Sequence, residues 1–469
     1  MKQLLTLALS LLLTTTISAQ KRIACIGASI TEGAGTTDMA KNSFPAQLGT
    51  LLGNEYKVLN FGLGGRTMLR KGDFPYRETE QYKKALASNP DIVFIDLGGN
   101  DAKARNRIHM NEMEGDCIDM IKSFRQLPSN PRVILMLPIV SFEPDTAQIW
   151  DAVIVNKIIP CLRKAAYKEG IEVLDMHPLL INRKDLMPDN IHPDNEGAAI
   201  IARRLFEQVT LKTDKDFDIL TNIKVPYTTS EFSGYVCADF KLRGRECKVV
   251  KPKEAAPGKP WIWRTRFWAH EPQTDIALLE RGFHLVYCDV AELMGNQEAL
   301  SIWSDFYKIL IKAGLSRKSA MEGMSRGAMY SFCWAAANPD KISCVYVDNP
   351  LLDCRYLADR EGDLGEMTRD FMAAYGLKTK DDIRNFNGSP TDKVKEIVKG
   401  RYPILILCAD QDEAVPPTQT LLFEEKIKAL GGDITVMMKH GFKHHPHSFP
   451  NPAPIVDFIL KANSNQIMK

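Results

Sequence analysis

Two serines stand where a side-chain hydroxyl could act as a nucleophile. The first lies in the run Ile26-Gly27-Ala28-Ser29-Ile30-Thr31-Glu32-Gly33 and the second in Gly323-Met324-Ser325-Arg326-Gly327. Each is followed downstream by acid and histidine candidates. That set suits acyl transfer, in which a histidine takes the serine proton and an acid orients the histidine. N–H donors then hold the oxyanion that forms on the attacked carbonyl.

Around the first serine the pattern is dense. Ser29 follows an apolar run, so it sits at a strand-to-helix turn where a hydroxyl is exposed. A plain helix N-cap is the competing reading. Asn60-Phe61-Gly62-Leu63-Gly64-Gly65 ends a second strand in a glycine-rich turn that lets a backbone N–H approach a ligand. Leu97-Gly98-Gly99-Asn100-Asp101 ends a third and offers an amide donor. Asp189-Asn190-Ile191-His192-Pro193 places an acid and a histidine three residues apart.

Four of these blocks in order, across roughly residues 21–210, resemble the SGNH (GDSL-type) hydrolase family. The resemblance implies Ser29 as nucleophile, His192 as base and Asp189 as orienting acid. It implies the Gly65 N–H and the Asn100 amide as oxyanion donors, with Gly62 and Gly64 as neighbouring alternatives. The family usually has Asp before its serine, where this chain has Ala28; that implies altered local hydrogen bonding and retained activity. The stretch Gly65–Asp73 resembles bacterial sugar O-acetylesterases of the family.

The second pattern fits Gly-x-Ser-x-Gly, between a strand-like segment and the helix-like Ala328–Ala337. Small flanking residues permit the sharp turn of a nucleophile elbow. The acid-rich Ala409-Asp410-Gln411-Asp412 follows a strand, and four histidines occupy residues 440–447. The order Ser, Asp, His is that of the α/β-hydrolases, and residues 230–463 resemble that family. The resemblance implies Ser325 as nucleophile, Asp412 (over Asp410) as acid and His444 as base, with His445 as runner-up. The oxyanion hole would use the Arg326 N–H and one from the loop near Arg264-Thr265-Arg266. Those arginines and Trp263 could instead bind a sugar or a carboxylate, or be solvated charges beside a core tryptophan. The histidines also admit a metal-binding or plain surface-loop reading; no ligand set stands beside them in the sequence, and no metal is expected.

These residues need rigid elements to hold them. Arg22–Ile26, Lys57–Phe61, Ile92–Leu97, Val133–Leu137 and Ile171–Leu174 read as buried strands alternating with amphipathic helices, which predicts a parallel sheet. Alternation resumes after Trp261-Ile262-Trp263, in Gly282–Cys288, Ser319–Met324, Ile342–Asp348, Ile404–Cys408 and Ile434–Met438. The expected class is α/β in two domains: a flavodoxin-like three-layer sandwich of the SGNH type, then an α/β-hydrolase fold. The expected boundaries are 1–19 signal peptide, 20–210 first domain, 211–230 linker and 231–469 second domain. A hairpin is predicted over Ser233–Val250.

Composition sets the remaining bounds. With 469 residues and 45% apolar content, each half can bury its own core. Sixty basic against 58 acidic residues give a net charge of +2, so nothing points to nucleic acid. Lys2, the apolar run Leu4–Leu13 and Ile17-Ser18-Ala19 describe a cleavable secretory signal without a lipoprotein cysteine, hence a periplasmic or secreted protein with no membrane span. Of ten cysteines, Cys237 and Cys247 flank a turn and could bridge across a hairpin.

Serine acyl transfer needs no cofactor. The expectation is an exported esterase removing O-acetyl groups from an acylated polysaccharide or oligosaccharide at two sites. The alternatives are a lipid or aryl esterase, or one active SGNH half with a second half that only binds glycan or packs on its partner.

Overall fold

The computed structural model describes residues 20–359 and 365–467, so the expected signal segment lies outside the described residues. Five strands form the first sheet: β1 (Lys21–Gly27), β2 (Tyr56–Gly62), β3 (Ile92–Asp96), β4 (Arg132–Leu137) and β5 (Glu172–Asp175). All pair in parallel, in the order β2-β1-β3-β4-β5. Parallel strands need helical crossovers, and the helices cover both faces. Ile23 and Cys25 point into one core layer, and Ala24 and Ile26 into the other. Both layers are buried and apolar, which is why β1 reads as an unbroken apolar run.

The second sheet has nine strands. They are β6 (Thr228–Phe232), β7 (Tyr235–Leu242), β8 (Arg245–Val250), β9 (Trp261–Arg264), β10 (His284–Cys288), β11 (Ser319–Met324), β12 (Ile342–Asp348), β13 (Ile404–Ala409) and β14 (Ile434–Lys439). Their order is β14-β13-β12-β11-β9-β10-β8-β7-β6, parallel from β14 to β10 and antiparallel beyond. The molecule is α/β, with one parallel and one mixed sheet.

Two local expectations change. Residues 211–231 are not free chain: Ile219 and Leu220 sit in the second core, and β6 extends the sheet edge. Polar Leu211–Glu231 hid this because its buried apolar residues, Ile219, Leu220 and Ile223, are clustered at one short helix and its C-cap. The Cys237–Cys247 bridge does not form, because the hairpin register places Cys237 opposite Val250 and Cys247 opposite Phe240. Among the described residues every cysteine is free.

The halves pack on each other. Glu280 is buried and accepts the Asp175 N–H at 2.6 Å and the Arg204 guanidinium at 2.8 Å. The Asn451 amide donates to the Leu179 carbonyl at 3.3 Å.

Candidate active sites

Ser29, His192 and Asp189 come together at the C-terminal edge of the first sheet. Ser29 opens the short helix Ser29–Glu32, and its side chain caps nothing. Its Oγ lies 2.8 Å from His192 Nε2, and His192 Nδ1 lies 2.6 Å from Asp189 Oδ2. The other carboxylate oxygen, Oδ1, accepts the N–H groups of Ile191 (3.0 Å) and His192 (2.7 Å). Burial works against the ionised form of Asp189, but its hydrogen bonds outweigh this and hold its pKa below the ordinary value. The Asp-x-x-His spacing is therefore a turn in which Asp189 fixes both the backbone and the imidazole ring of His192.

The glycine-rich turn can be resolved donor by donor. The Gly62 N–H is given to Asn60 Oδ1 at 2.9 Å, the Leu63 N–H to the Gly27 carbonyl, and the Gly64 N–H to Glu32 Oε2 at 2.9 Å. The Gly65 N–H has no acceptor among the described residues. Gly65 adopts φ +77°, a left-handed conformation that favours glycine. Asn100 spends one amide N–H on the Arg66 carbonyl (3.1 Å) and lines the same cavity as Ser29, with Pro138, Val140 and Ile191.

Three supporting residues escaped the sequence reading. Asp101, fully buried, accepts the Met68 and Leu69 N–H groups at 3.0 and 2.8 Å and so pins the loop after Gly65. Burial pushes its pKa up to about 7. Glu32 holds the glycine turn, as above. Thr31 donates to Asp96 across 2.7 Å, and a Cβ on Gly27 would lie 2.0 Å from that hydroxyl. Their only signal in the sequence was membership in the same runs as Ser29 and Asn100.

The second set assembles from the tips of β11, β13 and β14. Ser325 has φ +52°, a strained conformation for a serine that turns its hydroxyl out of the bend. Its Oγ is 2.9 Å from His444 Nε2, and His444 Nδ1 is 2.7 Å from Asp412 Oδ2. Asp412 Oδ1 accepts the Ala414 and Val415 N–H groups at 2.8 and 2.9 Å. Burial opposes the Asp412 charge, yet these bonds keep its pKa low. Asp410 instead pairs with His440, and His445 does not reach Ser325.

The Arg326 N–H has no backbone acceptor among the described residues. The β9 loop lies beside it: a Cβ on Gly327 would meet Arg266 Cβ at 3.2 Å. Arg264 and Trp263 are not available to a ligand. Trp263 is buried among Trp303, Phe306 and Trp334, and Arg264 is buried against Asp275 and Glu322. Their strand is central to the sheet, which the aromatic run did not reveal. Arg266 and Arg326 instead flank the Phe267 ring. Asn349 was also missed: it donates to the His444 carbonyl at 2.8 Å and accepts the Ala409 N–H at 2.8 Å, tying the histidine loop to the sheet.

Comparison with known proteins matches residues 25–200 to the GDSL-like Lipase/Acylhydrolase family and residues 306–462 to the Prolyl oligopeptidase family. A protein named acetylxylan esterase from Xylanibacter ruminicola is 41% identical over 199 residues, covering 39% of this chain and 41% of that protein. The chain thus matches less than half the length of this relative. Among solved structures, Est1E from Butyrivibrio proteoclasticus is 20% identical with a TM-score of 0.35, covering 50% of this chain and 99% of that one. A puromycin-hydrolyzing peptidase of Mycobacterium tuberculosis is 14% identical with a TM-score of 0.38, covering 48% of this chain and 38% of that one.

Proposed function

We propose that this chain, which joins a GDSL-like acylhydrolase domain to an α/β-hydrolase domain of the prolyl oligopeptidase family, is a serine esterase that removes O-acetyl groups from polysaccharide. The observation that carries the reading is the unbroken relay Ser29–His192–Asp189 beside two free oxyanion donors. The acetylxylan esterase relative supports acetylated xylan as the substrate class.

The geometry implies the steps. With Asp189 ionised, His192 keeps its proton on Nδ1 and presents Nε2 to the serine O–H. Ser29 Oγ attacks the acetyl carbonyl as His192 takes the proton. The Gly65 N–H and the Asn100 amide hold the oxyanion. His192 then gives the proton to the departing sugar hydroxyl, leaving an acetyl-enzyme. Water, deprotonated by His192, releases acetate. Preorganised donors of this kind are each worth a factor of about 10²–10³.

The second relay supports a second acyl-transfer site, since Ser325, His444 and Asp412 are spaced for the same chemistry. Its family includes peptidases, so an amide or a different acyl ester is the second reading for that half. Secretion remains part of the proposal; no described helix is long and apolar enough to cross a membrane.

Acetate release from acetylated xylan and other acetylated glycans by the wild type, Ser29→Ala, Ser325→Ala and the double variant is the test. Loss of xylan deacetylation in Ser29→Ala alone is expected. Undiminished release by Ser29→Ala would overturn the assignment. No ester or amide turnover dependent on Ser325 would make the second half a binding or packing module.

A further inference from the structure

We propose that His270, Glu271 and His445 form a divalent transition-metal site, best suited to Zn2+, on the rim of the Ser325 centre. His270 and Glu271 are neighbours in sequence and His445 lies far downstream, and the fold brings one ligand atom from each within 4.8 Å of the others. Ligands about 2.0–2.2 Å from a tetrahedral zinc stand roughly 3.4 Å apart, so small side-chain rotations close the set. Two imidazoles and one carboxylate are zinc donors, whereas Ca2+ and Mg2+ select all-oxygen sets.

Three further observations point to a ligand. Glu271 Oε2 is buried and accepts no hydrogen bond among the described residues, a deficit that a cation would fill. His270 Nε2 lies 3.8 Å from Glu271 Oε1, too far for a hydrogen bond and close enough to share an ion. The loop that presents them is strained: Phe267, Ala269 and Glu271 have φ of +55°, +62° and +44°. Left-handed conformations at non-glycine residues cost on the order of 1–3 kcal/mol each and collect at functional sites.

A competing set, His444, His445 and His447, is also compact. It fits less well. Both ring nitrogens of His444 are engaged, by Asp412 and Ser325, and His447 Nδ1 faces Asp348 at 3.2 Å. A metal there would have to pull His444 off the serine. The His270–Glu271–His445 set loads without touching the relay. Three protein donors leave a fourth position for water or a substrate oxygen, the pattern of open zinc sites. His445 stacks edge-on against His444 with ring centroids 5.0 Å apart, so the bound charge would sit next to the Ser325 relay.

The test is a binding experiment on the full chain after chelator treatment. Zn2+ is titrated calorimetrically, and Co2+ is followed by its visible d–d bands. One ion per chain is expected, with the strong bands of a four-coordinate Co2+ site. His270→Ala and Glu271→Gln should each weaken binding by about tenfold or more. His440→Ala, an exposed imidazole of the same loop, and His444→Ala should leave it unchanged. His270 is solvent-exposed and Glu271 half-buried, and circular dichroism verifies that both variants fold. Absence of stoichiometric binding by the wild type would overturn the proposal. So would wild-type affinity in both His270→Ala and Glu271→Gln, or loss of binding in His440→Ala or His444→Ala. None of these readouts needs turnover at Ser325.

Discussion

The acids of the two proposed triads make the same three hydrogen bonds in different surroundings, which allows a quantitative comparison of Asp412→Asn with Asp189→Asn. In both, one carboxylate oxygen faces two backbone N–H groups and the other faces histidine Nδ1. An asparagine must turn its carbonyl oxygen toward the two N–H donors, since an NH2 there would meet only donors. Its NH2 then faces Nδ1, so Nδ1 becomes an acceptor and the ring proton moves to Nε2. The histidine can no longer take the serine proton. A wrong tautomer costs roughly 10⁴ in kcat, or about 5.4 kcal/mol at 1.36 kcal/mol per tenfold. The Asp412 side chain is 1% exposed, so no solvent is at hand to restore the tautomer, and the full loss is expected. The Asp189 side chain is 56% exposed, and water can compete for the amide. The loss there should be nearer 10². The assay is aryl-acetate turnover, with Asp412→Asn placed in Ser29→Ala and Asp189→Asn placed in Ser325→Ala, each against its single-serine parent. Thermal midpoints should change little, because every hydrogen-bonding position keeps a partner. A loss below tenfold at Asp412, in a variant that folds, would refute the tautomer argument. Equal losses at the two positions would refute the role of exposure.

Further outcomes follow from other sites. Gly65→Ala should cut xylan deacetylation by about 10²–10³ at little change in KM, because a Cβ at φ +77° costs on the order of 1–2 kcal/mol and tilts the free N–H; steady-state kinetics on acetylated xylan checks it. Arg264→Met strands the buried Asp275 and Glu322 carboxylates and should destabilise the second half by about 3–5 kcal/mol in urea unfolding. His284 is buried, and desolvation holds its pKa down to about 4 against 6.5 for the free residue. The unfolded chain therefore takes up this proton first, and stability should fall as pH drops from about 6.5 to 4, by about 3 kcal/mol for this group. His284→Gln should flatten that part of the urea-midpoint profile relative to the wild type.

Much of the architecture was legible because its signals are local. A parallel sheet buried on both faces forces unbroken apolar runs, so β1 to β5 could be placed to within a residue or two. Glycine turns and the Asp-x-x-His block announce themselves because each works within three or four residues. The segment 211–231 was opaque for the converse reason. Its charged composition outweighs three buried apolar side chains, Ile219, Leu220 and Ile223, whose burial depends on a core built elsewhere. The cysteine pair stayed open in the sequence because register decides it, and a hairpin's flanking residues do not fix register by themselves.

The sequence by itself determined which side chains could do acyl transfer, and in what order they lie, since nucleophile, acid and base are a matter of residue type. Tertiary structure decided which groups are free to act. Of the turn's glycines, Gly65 keeps its N–H because Asn60 and Glu32 take those of Gly62 and Gly64. Of the clustered histidines, His444 alone reaches Ser325, because Asp412 and Asn349 hold it there. The fold also brings Glu271 to His445, a neighbour that no spacing could announce. Hydrogen-bonding capacity is limited at each atom, and which partner takes it is settled by distance in space, not by position along the chain.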